Sequence, residues 1–443
     1  MCDPIAPLTE LVDLPGFEVY AQTLHDQEWW IEVRLARDGL VACRECGTVA
    51  SLKDYDRVEV RDLPVFGRQC VLVWRKRRYE CDEAACAVGS WTETSPEICS
   101  RKVASERARR EMCRRVGQDA APISGVATDF GVTWKTVEDA VEDYGRPLVD
   151  DPARLEGVQA LGVDETSFMA ATAETPTRYV TSIVDITNNK ARLLDVIDGR
   201  DAAGVQHWLD HRPGTWLDKI DVCATDAARS YTRGLVDGGL GAATFVLDRF
   251  HAIRLGNDAV DDVRRRVQRE TTGHRGRRDD PLYRVRKLLL TRYDRLVDAA
   301  EDRLADAFER ADPYGEVAVT WVARNLLSEV YDAPTEREAN KALFVFYTWC
   351  VDVEVPEVIT LAATIGHWQA EILNYWCTDG ASNGPVEGLN LMVKKTKRIG
   401  HGYRNFENYR FRLLLTCGID WDSVPWNTHR TARLRTHKPR LIA

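Results

Sequence analysis

No stretch of this 443-residue chain strings together the ~18 apolar residues that a membrane span requires. The opening "MCDPIAPLTELVDLPG" has neither a basic start nor a long apolar centre, which argues against a secretory signal peptide. No G-x-x-x-x-G-K-S/T loop occurs, so nothing points to nucleotide hydrolysis. The expectation is a soluble cytoplasmic protein, in a compartment where thiols stay reduced. A surplus of positive charge is also missing, since the formal net charge is −9. That average hides its distribution. Acidic excess lies in the first sixty residues and in 290–360, whereas segments 68–78, 101–115, 264–287 and 394–440 are basic. DNA responds to local potential, because counterion release is local. A solvated helix face accounts for any one basic run. Four of them, each beside a motif, favour double-stranded DNA as the partner.

What is present is ordinary globular composition, 44% hydrophobic and 29% charged, on a chain long enough for two to four domains. Twelve cysteines stand out, seven of them between Cys43 and Cys113. "CREC" sets Cys43 and Cys46 in a C-x2-C knuckle, and "CDEAAC" sets Cys81 and Cys86 in a C-x4-C. The interval between them alternates like strands. Two close pairs brought together by strands fit a tetrahedral four-thiolate site for a structural Zn²⁺, whose binding would drive folding of this segment. Four unligated buried cysteines are the plainer alternative, and Cys70, Cys99 and Cys113 are available as substitute ligands. Arg75, Arg77 and Arg78 in "VWRKRRY" would project toward a DNA backbone.

Residues 101–147 read as helices. An arginine-rich helix comes first. Pro122 opens a short second helix, Gly131 ends it, and Thr133 caps a third, "WKTVEDAVEDY". Ala127, Gly131 and Val137 supply the small residue, turn glycine and branched apolar residue of a helix-turn-helix, and Phe130, Val132 and Ala140 complete its core. Thr133, Trp134, Lys135 and Thr136 then start the recognition helix, where base edges are read. An ordinary helical hairpin is the alternative.

From Gly157 the pattern turns to strands. "GVQALGVDETSF" carries an aspartate near its end, and "RYVTSIVDITNNKARLLDVIDG" is a hairpin about Asn188-Asn189. A helix follows, then "IDVCATDAARSY", a further helix and "ATFVLDRFH". This order matches a ribonuclease H-like fold, a mixed sheet with helices on both faces. In that fold Asp164 and Asp226 sit at the ends of neighbouring strands, ~4.8 Å apart. Two such carboxylates call for cations, and hard oxygen ligands suit Mg²⁺ or Mn²⁺ in phosphodiester displacement. Taken singly, each aspartate also reads as a turn former or helix cap. Glu165 and Asp185 are rivals.

Glu387 is the third acid candidate. It falls in the first turn of a helix opened by Asn383-Gly384-Pro385, where a carboxylate also serves simply against the helix dipole. Asn390, Lys394 and Arg398 follow it on one stripe, and Lys394, Lys395, Lys397 and Arg398 make a local phosphate track.

The paired cysteines, the helix-turn-helix, "GVDETSF", "ATDAARSY", "FVLDRFHAIRLGNDAVDDVRR" and "SNGPVEGLNLMVKKTKRIGHGYRNFENYRFRLLL" resemble, in this order, bacterial insertion-sequence transposases of the ISL-three family. The resemblance runs over nearly the whole chain. It implies a DDE transposase whose metal ligands map onto Asp164, Asp226 and Glu387. Asp248 and His251 look like the D-x-x-H motif of several DDE families, with His251 on the scissile phosphate and Asp248 orienting it. The layout expected is a zinc-ribbon-like domain at 1–100, a helix-turn-helix at 101–147 and a ribonuclease H-like core at 157–261 and 366–443, interrupted by a helical insertion at 262–365. Trp321, Trp349 and Trp368 of the insertion read as core. The implied activity is binding of terminal inverted repeats, with strand cleavage and transfer into target DNA. The implied assembly is a homodimer or larger on nucleoid DNA. A catalytically inactive DNA-binding regulator and another ribonuclease H-like nuclease are the alternatives.

Overall fold

The computed structural model describes residues 9–10, 12–36, 39–226, 229–378 and 380–427. These fall into two units, one from 1–154 with 395–443 and the other from 155–394.

The first unit opens with a five-stranded sheet. Strands β1 (Phe17–His25), β2 (Glu28–Leu35), β4 (Arg68–Glu80) and β3 (Ser51–Val65) lie in that order, and β5 (Ser90–Thr92) pairs with β4. Phe66 and Gly67, both at positive φ, form the tight turn between β3 and β4. Its paired strands run back until Ser51 faces Glu80. That return explains how cysteine pairs so far apart in sequence meet. Alternate residues of β4 and its neighbours, among them Val60, Leu72 and Trp74, build the core with Phe17, Ile31 and Val33. Cys70 belongs to this core and Cys113 is also fully buried, and both lie outside the group formed by Cys43, Cys46, Cys81 and Cys86.

Three helices follow, α1 (Glu106–Gly117), α2 (Ile123–Phe130) and α3 (Trp134–Asp150). Gly131 ends α2 at φ 63°, a left-handed conformation that costs glycine little. Thr133 caps α3 by accepting the Thr136 N–H. Val126, Phe130, Val137 and Ala140 are buried between them. The arginines of α1 are not a free basic face. Arg107 pairs with Asp62, Arg109 with Glu106 and Asp143, Arg114 with Glu111 and Asp119, and Arg115 with Asp129.

The second unit holds another five-stranded sheet, from β6 (Ala160–Met169), β7 (Arg178–Asp185), β8 (Arg192–Asp198), β9 (Val222–Thr225) and β10 (Thr244–Leu247). Its order is β10-β9-β6-β7-β8. The first three are parallel, and β7 and β8 join as antiparallel neighbours. Asn188 and Asn189 turn the β7–β8 hairpin at φ 57° and 58°, as their short polar side chains allow. Helices α4 (Ala202–Asp210) and α5 (Arg229–Leu235) pack with the sheet around Leu161, Val163, Ile183, Val205 and Cys223.

A 24-residue helix, α6 (Arg249–Thr272), leads into a helical body. It comprises α7 (Asp298–Ala311), α8 (Glu316–Val330), α9 (Glu336–Asp352), α10 (Pro356–His367) and α11 (Gln369–Cys377). One apolar cluster runs through it, from Val260 and Val263 to Leu327, Phe346, Ile365 and Ile372. Trp368 is buried in this cluster, and Trp321 and Trp349 pack against it. The basic run at 264–287 is partly structural too: Arg266 bridges Glu316 at 3.0 Å and Glu357 at 2.6 Å, tying α6 to α8 and α10.

Helix α12 (Gly384–Ile399) follows, then α13 (Phe406–Cys417), capped by Asn405. Within the first unit α13 lies against α3, where Gly145 admits Leu415 (a Cβ would stand 3.0 Å from it) and Arg146 covers the Phe411 ring.

Candidate active site

Parallel pairing of β6 with β9 sets Val163 opposite Thr225, so the residues that follow, Asp164 and Asp226, emerge side by side. His251, one turn into α6, closes the group. One ligand atom from each of Asp164, Asp226 and His251 lies within 4.8 Å of the others. The His251 Nδ1 stands 2.9 Å from Asp226 Oδ1 and 3.2 Å from Asp248 Oδ2. Burial works against an imidazolium there, but the hydrogen bonds to Asp226 and Asp248 outweigh it and raise its pKa to about 10. Burial first, then the charge of Asp226, pushes Asp164 up to about 6. Two carboxylates forced together out of water make a site that favours added positive charge.

Asp248 is a buried hub. Its Oδ2 accepts the N–H groups of Phe250 and His251, capping α6, and its Oδ1 accepts the Asn383 N–H at 3.0 Å. The Asn383 side chain donates in turn to the Val163 carbonyl at 3.2 Å. These bonds fix where α12 starts. Gly162 leaves the space, since a Cβ there would meet Asn383 at 2.6 Å and Val386 at 2.7 Å.

Seven residues after Asn383, buried Asn390 donates to Asp164 Oδ2. Sequence reasoning placed Asn390 on this stripe without giving it a partner. A polar residue seven positions from Asn383, among buried Val386, Leu389 and Val393, was the available signal. Glu387 is exposed in the first turn of α12 and lies outside the Asp164–Asp226–His251 group. The two rivals point elsewhere. Glu165 accepts from the Tyr231 hydroxyl at 3.2 Å, on the opposite strand face as the pleat requires. Asp185 pairs with Arg192 at 2.9 Å and accepts the Thr187 N–H.

The second cluster is Cys43, Cys46, Cys81 and Cys86, whose sulfurs all lie within 4.8 Å of one another. Cys43 and Cys86 are 3.8 Å apart, and Cys46 and Cys81 3.5 Å. Four Zn–S bonds of 2.3 Å in a tetrahedron put sulfurs about 3.8 Å apart, so these residues fit Zn²⁺. The Thr48 hydroxyl and N–H lower the Cys46 thiol to about 6. Cys81 accepts the Glu83 N–H, yet burial and the neighbouring sulfurs push it up to about 12. Four thiols this close ionise together only around a cation. Cys99 lies outside the group.

Of the residues expected to touch DNA, Thr133 and Thr136 engage each other. Lys135 pairs with Glu138 and Asp139, and Trp134 is half exposed. Lys394, Lys395 and Arg398 are exposed on α12, and burial lowers the pKa of Lys397. Arg75 covers the Tyr55 ring, Arg77 approaches Glu93, and Arg78 approaches Asp54.

Comparison with known proteins places both clusters in recognised sequence. Residues 161–413 match the ISL3 transposase family, and residues 40–86 match the zinc-finger of transposases IS204, IS1001, IS1096 and IS1165. The chain is 23% identical over 380 residues to the transposase for insertion sequence element IS1001 of Bordetella parapertussis, covering 84% of this chain and 88% of that one. Because the transposase match alone spans more than half of its length, the chain belongs to the ISL3 family of insertion-sequence transposases.

Proposed function

We propose that this transposase cuts and joins DNA at a ribonuclease H-like core, with Asp164, Asp226 and Glu387 as ligands of divalent metal. The observation that carries the reading is the convergence of Asp164, Asp226 and His251 from β6, β9 and α6. Asp164 and Asp226 offer the hard oxygens that Mg²⁺ or Mn²⁺ prefers. Bound there, such an ion would acidify an attacking water or 3′ hydroxyl and steady the leaving oxygen. Glu387 joins from α12, one turn before Asn390, which already touches Asp164. Asn390 holds the Asp164 carboxylate in place. His251 offers a ring N–H to the scissile phosphate, and Asp248 positions it.

The four-cysteine domain with Zn²⁺ and the α1–α3 helices, read as a helix-turn-helix, would bind the terminal inverted repeats. Thr133, Trp134, Lys135 and Thr136 face the bases, and Lys394, Lys395, Lys397 and Arg398 track the backbone. Recognition of two ends calls for a dimer or larger assembly on DNA, in the nucleoid. Mg²⁺-dependent strand transfer from cognate ends is the test. Asp164→Ala, Asp226→Ala and Glu387→Ala should each abolish it, and a variant that retains wild-type transfer would remove its residue from the triad. The position of Glu387 outside the acid group favours a second reading, a DNA-binding regulator without catalysis. Wild-type protein that binds cognate ends tightly and never cuts them would establish it.

A further inference from the structure

Arg324 on α8 is 5% exposed, and its hydrogen-bond partners among the described residues are neutral. Its guanidinium donates to the Asn257 side chain at 2.9 Å, the Asn325 side chain at 3.3 Å and the Leu290 carbonyl at 2.8 Å. Buried charges are ordinarily paired. Loss of water lowers the pKa of this guanidinium, and Arg292 and Arg295 nearby lower it further against a smaller opposing effect of Asp294. The arrangement depends on Gly256 of α6, where a Cβ would meet the Arg324 side chain at 3.2 Å.

Arg324 lines a cavity of 530 Å³ with Phe250 of α6, Arg292 and Arg295, and Ser382 just before α12. Arg292 and Arg249 share Asp332, and Arg292 also reaches Asp294. Arg295 is exposed and pairs with no carboxylate among the described residues. The acid on the wall is Asp248, and both of its oxygens are already engaged. Positive charge in this cavity therefore exceeds what the protein supplies to neutralise it. Asp248 also touches His251, so it links the cavity wall to the acid group.

We propose that this cavity is an anion site that holds a backbone phosphate of the DNA strand entering the acid group, an assignment that rests on the DNA chemistry proposed above. Guanidinium groups match phosphate in charge and geometry. Half-exposed Phe250 offers a flat face to the adjoining nucleotide, and the volume suits a ligand larger than phosphate alone.

Inorganic phosphate is the first probe, added to the full chain at constant ionic strength while its melting temperature is followed. The wild type should show a saturable rise. Arg295→Ala, an exposed change that spares the fold, should weaken the apparent phosphate affinity about tenfold. Arg324→Gln should do the same, and Arg310→Ala, outside the cavity, should change nothing. On DNA carrying cognate ends, Arg295→Ala should raise KM for strand transfer about tenfold with little effect on kcat. Equal phosphate responses in wild type and Arg295→Ala overturn the site, as does an unchanged KM. An Arg295-dependent phosphate response in a wild type that leaves cognate DNA uncut would keep the anion site and sink the DNA reading.

Discussion

At the root of the β3–β4 hairpin four sulfurs close on one another, each drawn from one of two short turns. Midway along β6, where β9 ends beside it, Asp164 and Asp226 meet His251 of α6. The four sulfurs complete a tetrahedron, whereas the acid group brings together three ligand atoms, with Asp164 held by Asn390 and His251 by Asp248. A closed shell stabilises a fold, and an open one keeps positions for a reacting oxygen. The two clusters should therefore respond to mutation in opposite ways, the cysteines through stability and the acids through activity.

The largest effect belongs to the cysteines. Zinc bound to such sites contributes about 10–16 kcal/mol of apparent binding free energy to small domains. Cys86→Ser should lose the bound zinc, measured by elemental analysis, and melt the β1–β5 sheet, followed by circular dichroism. A Cys86→Ser chain that keeps one zinc and melts like the wild type would mean the shell is not closed.

The acids should behave in reverse. Asp164→Asn should lower strand transfer by about 10³-fold or more while stabilising the Mg²⁺-free protein. Burial and Asp226 hold the Asp164 carboxyl at about 6, above its ordinary 3.8. Folded protein thus binds that proton more tightly than unfolded protein does. The stability it contributes is complete below about pH 4 and disappears as pH rises through about 6. The melting temperature of Asp164→Asn minus that of the wild type should therefore grow from near zero at pH 4 to a plateau above pH 6. A flat difference across that range would place Asp164 in water, away from Asp226.

A smaller loss is expected one bond further out. Removing a residue that orients a metal ligand typically costs 10–100-fold. Asn390→Ala should fall in that range for strand transfer with the melting temperature nearly unchanged. A full-activity Asn390→Ala chain would show that Asp164 needs no help from α12.

Much of this was legible in the order of apolar strands. The alternation of β6 to β8, the Asn188-Asn189 turn and the "ATD" strand are enough to place Asp164 beside Asp226. Thr133 and Gly131 announced the boundaries of α2 and α3, because caps and left-handed glycines act locally. The register of α12 was not legible. It is set by Asn383, which bonds Val163 and Asp248 from 220 and 135 residues away, and a helix that starts there presents Asn390 to Asp164. The fate of each arginine was equally hidden. Arg266 meets acids 50 and 91 residues distant, and no local pattern reports such partners.

The arginines lead to the smallest effect, and the one that separates basic sequence from basic surface. As sequence, the runs in α1 and α12 look alike. In the fold, four of the five α1 arginines pair with acids of their own unit and Arg110 covers the Tyr144 ring, whereas Lys394, Lys395 and Arg398 are exposed without a carboxylate partner among the described residues. Each phosphate neutralised contributes about 0.9 to the slope of log K against log salt. Lys394→Ala and Lys395→Ala should each reduce the slope for DNA binding by about that amount, with the loss of affinity largest at low salt and shrinking as salt rises. Arg114→Ala should leave the slope alone, because its charge is already matched by Glu111 and Asp119. If Arg114→Ala changes the slope as much as Lys394→Ala does, the ion pairs of α1 open on DNA and its arginines change partners from carboxylate to phosphate.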